Sequence, residues 1–174
     1  FNIALPDGML TGSTNANIGI DFIRGQSPRM TLRSDLQGAT LAIPQLGWRK
    51  SSGARGALAM DIRLGANPAV TAISLSGAGL SAKGNISLAK SGGLDVLDVD
   101  SLKVGDWLDV RAALVGQGAG RAPQVVVRGG RLDLRRAQFG SGGGSSSTAA
   151  SGPPAPPMRV RLDRLQITEA IWLQ

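Results

Sequence analysis

The sequence predicts a mostly β protein, built as an extended antiparallel sheet of long strands with little or no helix. Three observations support this fold class. Apolar and polar residues alternate with a period of two in several runs, which is typical of strands with one buried face. Glycine-containing turn signals separate the runs. No segment of comparable length has the i, i+3, i+4 spacing of an amphipathic helix.

The alternating runs give the strands in chain order: residues 16–22, 29–36, 55–64, 80–88, 108–114, 132–134 and 160–162. Alternate side chains of a strand point to opposite faces, so each run has one apolar and one polar face. The turn signals lie in residues 25–28, 51–53, 65–68, 91–93 and 116–120. Their spacing leaves strands of about 8–12 residues, which is longer than the usual five or six.

The 174 residues fit one domain, which divides into three parts. Residues 1–139 form a β-sheet segment, and residues 158–174 return to the same sheet as further strands. Between them, residues 140–157 read GSGGGSSSTAASGPPAPP, a low-complexity segment that we expect to be a disordered loop insertion. The chain begins at Phe1 without methionine and ends just after an apolar stretch, so we expect a piece of a longer protein.

The two segments that flank this loop have complementary charges, RLDLR in residues 131–135 and RVRLD in residues 159–163. We predict that they form an antiparallel hairpin. Opposite-charge pairs across such a hairpin contribute roughly 0.2–1 kcal/mol each. The predicted register pairs Arg135 with Arg159, Asp133 with Arg161, Arg131 with Asp163, Leu132 with Leu162 and Leu134 with Val160.

The composition argues against an enzyme. The chain has no histidine, cysteine or tyrosine, which removes His/Cys zinc sites, disulfides, histidine-based nucleophile pairs and tyrosine acids. Asp95, Asp98 and Asp100 lack the glycine and terminal glutamate of a calcium-binding EF-hand loop. We therefore predict no catalytic residue, no metal site and no cofactor.

The net charge is +7, with arginine far more frequent than lysine. The basic residues are spread along the chain, and aromatic residues that could stack on bases make up only 3%. We therefore predict no nucleic-acid partner. One group of arginines forms either a solvated outer face or a contact for anionic lipid headgroups. Its members are Arg128, Arg131, Arg135, Arg159 and Arg161.

A single sheet has one apolar face to cover, and the sequence offers no helices to cover it. Either the sheet closes on itself to make an ordinary core, or the apolar face stays partly open as a groove. An aliphatic lining with few aromatic residues suits a hydrocarbon chain. Trp48 and Trp107 end strands, where we expect them to close a core edge. The candidate lining residues are Ile18, Ile20, Phe22, Met30, Leu32, Leu58, Met60, Ile62, Leu64, Ile86, Leu88, Leu108, Val110, Leu132, Leu134, Val160 and Leu162.

Several segments resemble the central region of the YhdP-like proteins, which belong to the AsmA-like family and are related in architecture to TamB. They are LQGATLAIPQLGW (36–48), LSGAGLSAKGNISL (75–88), LKVGDWL (102–108), VVRGGRLDLR (126–135) and LDRLQITEA (162–170). The order of these segments carries the resemblance, which covers most of residues 10–174.

The resemblance implies a periplasmic protein of a Gram-negative envelope, held in the inner membrane by an anchor outside this segment. It implies an elongated, curved sheet shaped as a half-pipe, whose aliphatic groove contacts phospholipid acyl chains and carries phospholipid between the inner and outer membranes. Two alternatives stay open. The same sheet could be a structural scaffold for outer-membrane protein assembly, as proposed for TamB-like relatives, or an ordinary closed β domain of an envelope protein.

Overall fold

The computed structural model describes residues 9–43, 46–65, 68–89, 93–118, 121–137, 157–168 and 171–173. Of these described residues, 63% lie in strands and 1% in helix, and the sheets are mostly antiparallel and not closed into a barrel. The predicted fold class is confirmed. No helix within the described ranges is long and apolar enough to cross a membrane. The predicted disordered loop lies outside the described residues except for Pro157.

The described residues form strands β1 (Leu10–Gly12), β2 (Asn17–Asp21), β3 (Arg29–Ser34), β4 (Ala39–Ile43), β5 (Trp48–Lys50), β6 (Gly56–Arg63), β7 (Ala69–Gly77), β8 (Leu80–Leu88), β9 (Leu94–Val104), β10 (Leu108–Val115), β11 (Gln124–Asp133), β12 (Met158–Arg161), β13 (Arg164–Gln166) and β14 (Trp172–Leu173). Strands β6 to β11 are 8 to 11 residues long, in line with the predicted length.

The large sheet has the order β14-β13-β11-β10-β9-β8-β7-β6-β3-β2, and β12 also pairs with β11. Consecutive strands from β6 to β11 lie side by side because antiparallel neighbours can be joined by short turns. Between β3 and β6 the chain leaves this sheet and forms β4 and β5. With β1 these strands make a small sheet of order β1-β4-β5.

The small sheet packs against one end of the large sheet, where the β7–β8 and β9–β10 turns lie. Trp48 of β5 is buried in a cluster with Leu80, Val104, Trp107 and Leu108. The indole Nε1 of Trp48 also donates a hydrogen bond to the carbonyl oxygen of Ala78, at 2.9 Å. Both tryptophans therefore lie in the core, as the sequence predicts.

A buried lysine holds the small sheet to the loop that precedes it. Lys50 ends β5 and is fully buried. Its Nζ donates hydrogen bonds to the carbonyl oxygens of Leu36 at 2.6 Å, Ala39 at 2.9 Å and Ser51 at 3.1 Å. Leu36 has a positive φ of 55°, a conformation that a branched side chain rarely adopts. The bonds to Leu36 and Ala39 therefore fix the tight backbone path between β3 and β4, and the bond to Ser51 ties this path to the end of β5.

The predicted antiparallel hairpin of residues 131–135 and 159–163 is wrong. The returning chain does lie next to β11, but it runs parallel to that strand. In β12, Arg159 lies opposite Val126 and Val160 opposite Val127; in β13, Arg164 lies opposite Arg131. Parallel neighbours need a connection of about a dozen residues or more, and residues 134–157 supply one.

None of the predicted charge pairs forms. Asp133 binds Arg135 of its own segment, Nη2 to Oδ2 at 2.7 Å. The carboxylate of Asp163 instead accepts a hydrogen bond from the backbone N–H of Gly130, at 2.8 Å. Exposed charge pairs contribute too little to choose between two strand directions. Leu162 packs against the buried cluster.

Candidate functional site

The strand register aligns apolar residues into rows that cross the large sheet. We call two of these rows, which run from β2 to β12, the open rows. The first open row is Ile18, Leu32, Met60, Ile73, Gly84, Val99, Ala112, Val127 and Val160. The second open row is Ile20, Met30, Ile62, Val70, Ile86, Leu97, Leu114, Val125 and Met158. Neither row contains a polar or charged side chain at any of these positions.

Both open rows remain largely accessible to solvent, although Val70 in the second row is buried, with 5% of its surface exposed. Most of their side chains are half-buried by their neighbours in the sheet. At the β2 edge, Ile18 and Ile20 are 60% and 49% exposed, and at the β12 edge Met158 and Val160 are 62% and 55% exposed. The rows are thus uncovered at both edges of the described sheet. An apolar surface of this extent normally marks a binding site.

The remaining part of the apolar face is covered. Leu80, Val104, Leu108 and Val110 are buried in the cluster with Trp48 and Trp107. Leu41 and Ile43 of the small sheet, and Leu46 from the segment between β4 and β5, pack against this cluster. The small sheet therefore covers one side of the apolar face and leaves the two open rows beside it.

The dimensions of the open rows follow from sheet geometry. Across the described strands from β2 to β12 each row makes eight inter-strand steps, and at about 4.8 Å per step this is roughly 38 Å. The two rows lie two residues apart along each strand, or about 6.7 Å, except in β7, where a bulge places Val70 and Ile73 three residues apart. The uncovered surface is therefore a long, narrow aliphatic strip that runs across the strands.

The opposite face of the large sheet, which we call the outer face, carries the charges. Arg33 and Asp61 form an ion pair at 3.0 Å, and Lys103 and Asp109 form one at 3.1 Å. Arg128 binds both carboxylate oxygens of Asp98 at 3.0 Å. The two faces differ in chemistry because successive side chains of each strand alternate between them.

One carboxyl group at the end of β11 has a perturbed pKa. Asp133 is buried, and its Oδ1 accepts hydrogen bonds from Nε of Arg135 at 2.9 Å and from the backbone N–H of Arg135 at 3.1 Å. The side-chain bonds to Arg135 are the main cause of a pKa below the ordinary value, and the charge of Arg136 lowers it further. This pair fixes the turn after β11 and stands outside the open rows.

The structure brings together many of the predicted lining residues. Ile18, Ile20, Met30, Leu32, Met60, Ile62, Ile86 and Val160 lie in the open rows. Leu58 and Val110 lie in the neighbouring row, beside the small sheet, and Leu108 lies opposite Leu132 at the covered end. Leu88 ends β8 opposite Leu94.

Four predicted lining residues lie outside the strands. Phe22 directly follows β2 and is 77% exposed, and Leu134 follows β11 and is 37% exposed. Leu64 follows β6, where its N–H donates to the carbonyl oxygen of Pro28 at 2.8 Å. Leu162 lies between β12 and β13.

Sequence reasoning missed about half of the open rows, in part because β-bulges interrupt the period of two. The pairing of β9 with β8 changes register at two places along β8. The first lies between Lys83 and Gly84, and the second between Ser87 and Leu88. Each shift adds a residue to β9 and hides its alternation. The missed residues include Val70, Ile73, Leu97, Val99, Leu114, Val125, Val127 and Met158. Alternation within the short segments between bulges is the signal that could have found them.

Comparisons of the chain with family models, with curated proteins and with solved structures found no match. The geometry of the apolar face is therefore the feature that bears most directly on function. A continuous aliphatic strip can bind apolar chains along its length, and it supplies no group that would react with them.

Proposed function

We propose that this chain is a segment of a lipid-transfer protein of the cell envelope, and that its open rows hold phospholipid acyl chains. The observation that carries this proposal is the continuity of the two rows from β2 to β12. A pocket for one ligand needs polar groups that fix its orientation. A surface along which lipid moves needs uniform apolar contact instead, and the open rows have this property.

The energetics of an acyl chain agree with this role. Each methylene that leaves an apolar environment for water costs about 0.8 kcal/mol. Transfer from a bilayer to an aliphatic surface exchanges one apolar environment for another, so its net free energy is small. No position in the open rows has a charge that would bind a headgroup strongly and stop the lipid there.

The size of the strip also fits acyl chains. One leaflet contributes about half of the roughly 30 Å hydrocarbon core of a bilayer. The open rows, at roughly 38 Å, are therefore longer than a single extended acyl chain in a leaflet. Their narrow width matches chains that lie across the strands.

The resemblance to the AsmA-like family supplies the cellular setting of the proposal. It implies a periplasmic location, an inner-membrane anchor elsewhere in the full-length protein and movement of phospholipid between the two membranes. In this setting the role needs no enzymatic activity and no cofactor. The phospholipid itself is the proposed cargo.

Native mass spectrometry of the chain purified from a Gram-negative host tests the proposal, together with photo-crosslinking from two positions of β6. A photoreactive residue at Met60 reports on the first open row, and one at Arg63 reports on the outer face of the same strand. We expect bound phospholipid that crosslinks from position 60 and not from position 63. A lipid-free chain, or equal crosslinking from both positions, would contradict the proposal.

A second candidate function is a scaffold for the assembly of outer-membrane proteins. The observation that favours it is β2, an edge strand whose residues are all exposed. An edge strand can pair with an incoming strand through its free backbone groups. A photoreactive residue at Ile18 that captures an unfolded outer-membrane protein, and no lipid, would support this function over lipid transfer.

A further inference from the structure

The outer face near the β12 edge carries a dense group of arginines, which we call the arginine patch. Its members are Arg111, Arg128, Arg131, Arg159, Arg161 and Arg164. The parallel pairing of β11 with β12 and β13 sets Arg128 opposite Arg161 and Arg131 opposite Arg164. Like charges that lie directly opposite each other in a sheet are destabilising. The fold therefore concentrates positive charge here at the expense of its own stability.

Few carboxylates neutralise the arginine patch. Asp98 binds Arg128 at 3.0 Å, and Asp163 lies 3.8 Å from Arg111. Asp109 lies opposite Arg131 and also binds Lys103 at 3.1 Å. The six arginines and Lys103 make seven positive charges against the three carboxylates, which leaves a surplus of four. Arg159, Arg161 and Arg164 form no ion pair with any carboxylate in the described part of the chain, and all three are exposed.

The edge strand β12 combines this charge with apolar side chains on its other face. Met158 and Val160, which alternate with Arg159 and Arg161, end the two open rows and are more than half exposed. Arg128, Arg159 and Arg161 form an open, shallow part of the surface together with three valines, Val126, Val127 and Val160. Basic residues beside exposed apolar ones are typical of elements that lie at a membrane surface.

We propose that the β12 edge docks on an anionic lipid bilayer surface. The guanidinium groups of the arginine patch contact lipid phosphates, since planar guanidinium groups bind phosphate through paired hydrogen bonds. Met158 and Val160 contact the apolar region just below the headgroups. With the β12 edge turned towards the bilayer, the arginines on one face of the strand and Met158 and Val160 on the other face both reach the headgroup region.

Vesicle co-sedimentation tests this inference with the whole chain. The vesicles contain equal parts of phosphatidylglycerol and phosphatidylcholine, and the reference vesicles contain phosphatidylcholine alone, both at about 0.15 M salt. We expect the chain to bind the anionic vesicles only. The double substitution Arg159→Gln/Arg161→Gln should weaken this binding roughly 30-fold, since each basic residue near an anionic surface contributes about 1 kcal/mol.

The control is Arg29→Gln/Arg63→Gln, which changes the net charge by the same amount. It removes an exposed pair of arginines that lie opposite each other on the outer face of β3 and β6, near the other edge of the sheet. It should leave vesicle binding within about twofold. Arg159→Lys/Arg161→Lys keeps the charge and should retain most of the binding. Equal weakening by the Arg29/Arg63 and Arg159/Arg161 glutamine variants would overturn the inference, because net charge alone would then account for the binding.

Two further measurements distinguish membrane docking from nucleic-acid binding and from lipid transfer. Tighter binding to a DNA duplex than to anionic vesicles would overturn the inference, because the patch would then be a nucleic-acid site. The variant Ile73→Glu lies in the first open row, away from the patch. We expect Ile73→Glu to lose co-purified lipid and to keep vesicle binding. The amount of co-purified lipid thus tests the proposed function, and vesicle binding separately tests membrane docking.

Discussion

Replacement of Lys50 by methionine tests how the small sheet is held in place. The ammonium of Lys50 donates hydrogen bonds to three carbonyl oxygens at 2.6 to 3.1 Å, and the side chain is fully buried. Methionine has a similar length and fills the same space, so the substitution removes the donors and little of the packing. The expected change is therefore a loss of hydrogen bonding rather than a cavity.

The magnitude follows from these bonds. A buried polar group that loses its partner costs about 1–3 kcal/mol, and Lys50 serves the carbonyls of both Leu36 and Ala39, two residues that are themselves buried. The relief of a buried charge offsets part of this cost. We expect a net loss of about 3 kcal/mol in the free energy of unfolding, or about 6–12 °C in Tm for a domain of this size.

Thermal and urea unfolding, followed by circular dichroism, measure this change. The matched control is Lys83→Met, on the exposed outer face of β8, which we expect to alter stability by less than about 0.5 kcal/mol. If Lys50→Met and Lys83→Met unfold at the same temperature, the three carbonyl bonds contribute nothing and Lys50 does not hold the small sheet in place.

Three other predictions concern the framework of the open rows. Trp48→Phe removes the hydrogen bond to Ala78 and keeps an aromatic ring, so urea unfolding should show a loss of about 1 kcal/mol. Arg135 lowers the pKa of Asp133 in the folded protein. The contribution of this pair to the free energy of unfolding should therefore be at its full value above about pH 4 and disappear as the pH falls through the lowered pKa. Acid unfolding measures this change. Gly130→Ala should lower stability by at least about 2 kcal/mol in the same urea assay, because φ is +118° and a Cβ would contact the backbone of β10.

Each of these predictions has a control. Gly53→Ala adds a methyl group to open space and should be neutral. Asp133→Asn removes the titrating group, so its stability should change less between neutral and acidic pH than that of the parent chain. If the free energies of unfolding of the parent chain and of Asp133→Asn change in parallel with pH, Asp133 does not stabilise the fold through Arg135. Trp48→Phe as stable as the parent would show that the indole bond is unimportant.

The sequence predicts the fold class and several strands because their alternation is unbroken. The runs that contain Ile18, Met30 and Met60 lie in β2, β3 and β6, and their apolar residues do share one face. Period-two alternation reports directly which face of a strand is buried. In these strands no bulge interrupts the pairing of β2 with β3 or of β3 with β6.

Other parts of the structure could not be predicted from these patterns. Bulges in β7 and β9 shift the alternation and hide Ile73 and Val99. The direction of β12 depends on a long connection and on many weak contacts, not on the few charge pairs at residues 131–135. The buried role of Lys50 also gives no sequence signal, because a single lysine in a short strand is usually exposed.

In the proposed function the open rows, and not the sheet as a whole, hold lipid. Ile73→Glu and Ser74→Glu test this most directly, because they place the same charge on adjacent, half-buried positions of β7 that face opposite sides of the sheet. The measurement is the amount of phospholipid that co-purifies with each folded variant, read by native mass spectrometry. We predict loss of lipid for Ile73→Glu and parental levels for Ser74→Glu. Equal lipid content in both variants would contradict lipid binding by the open rows.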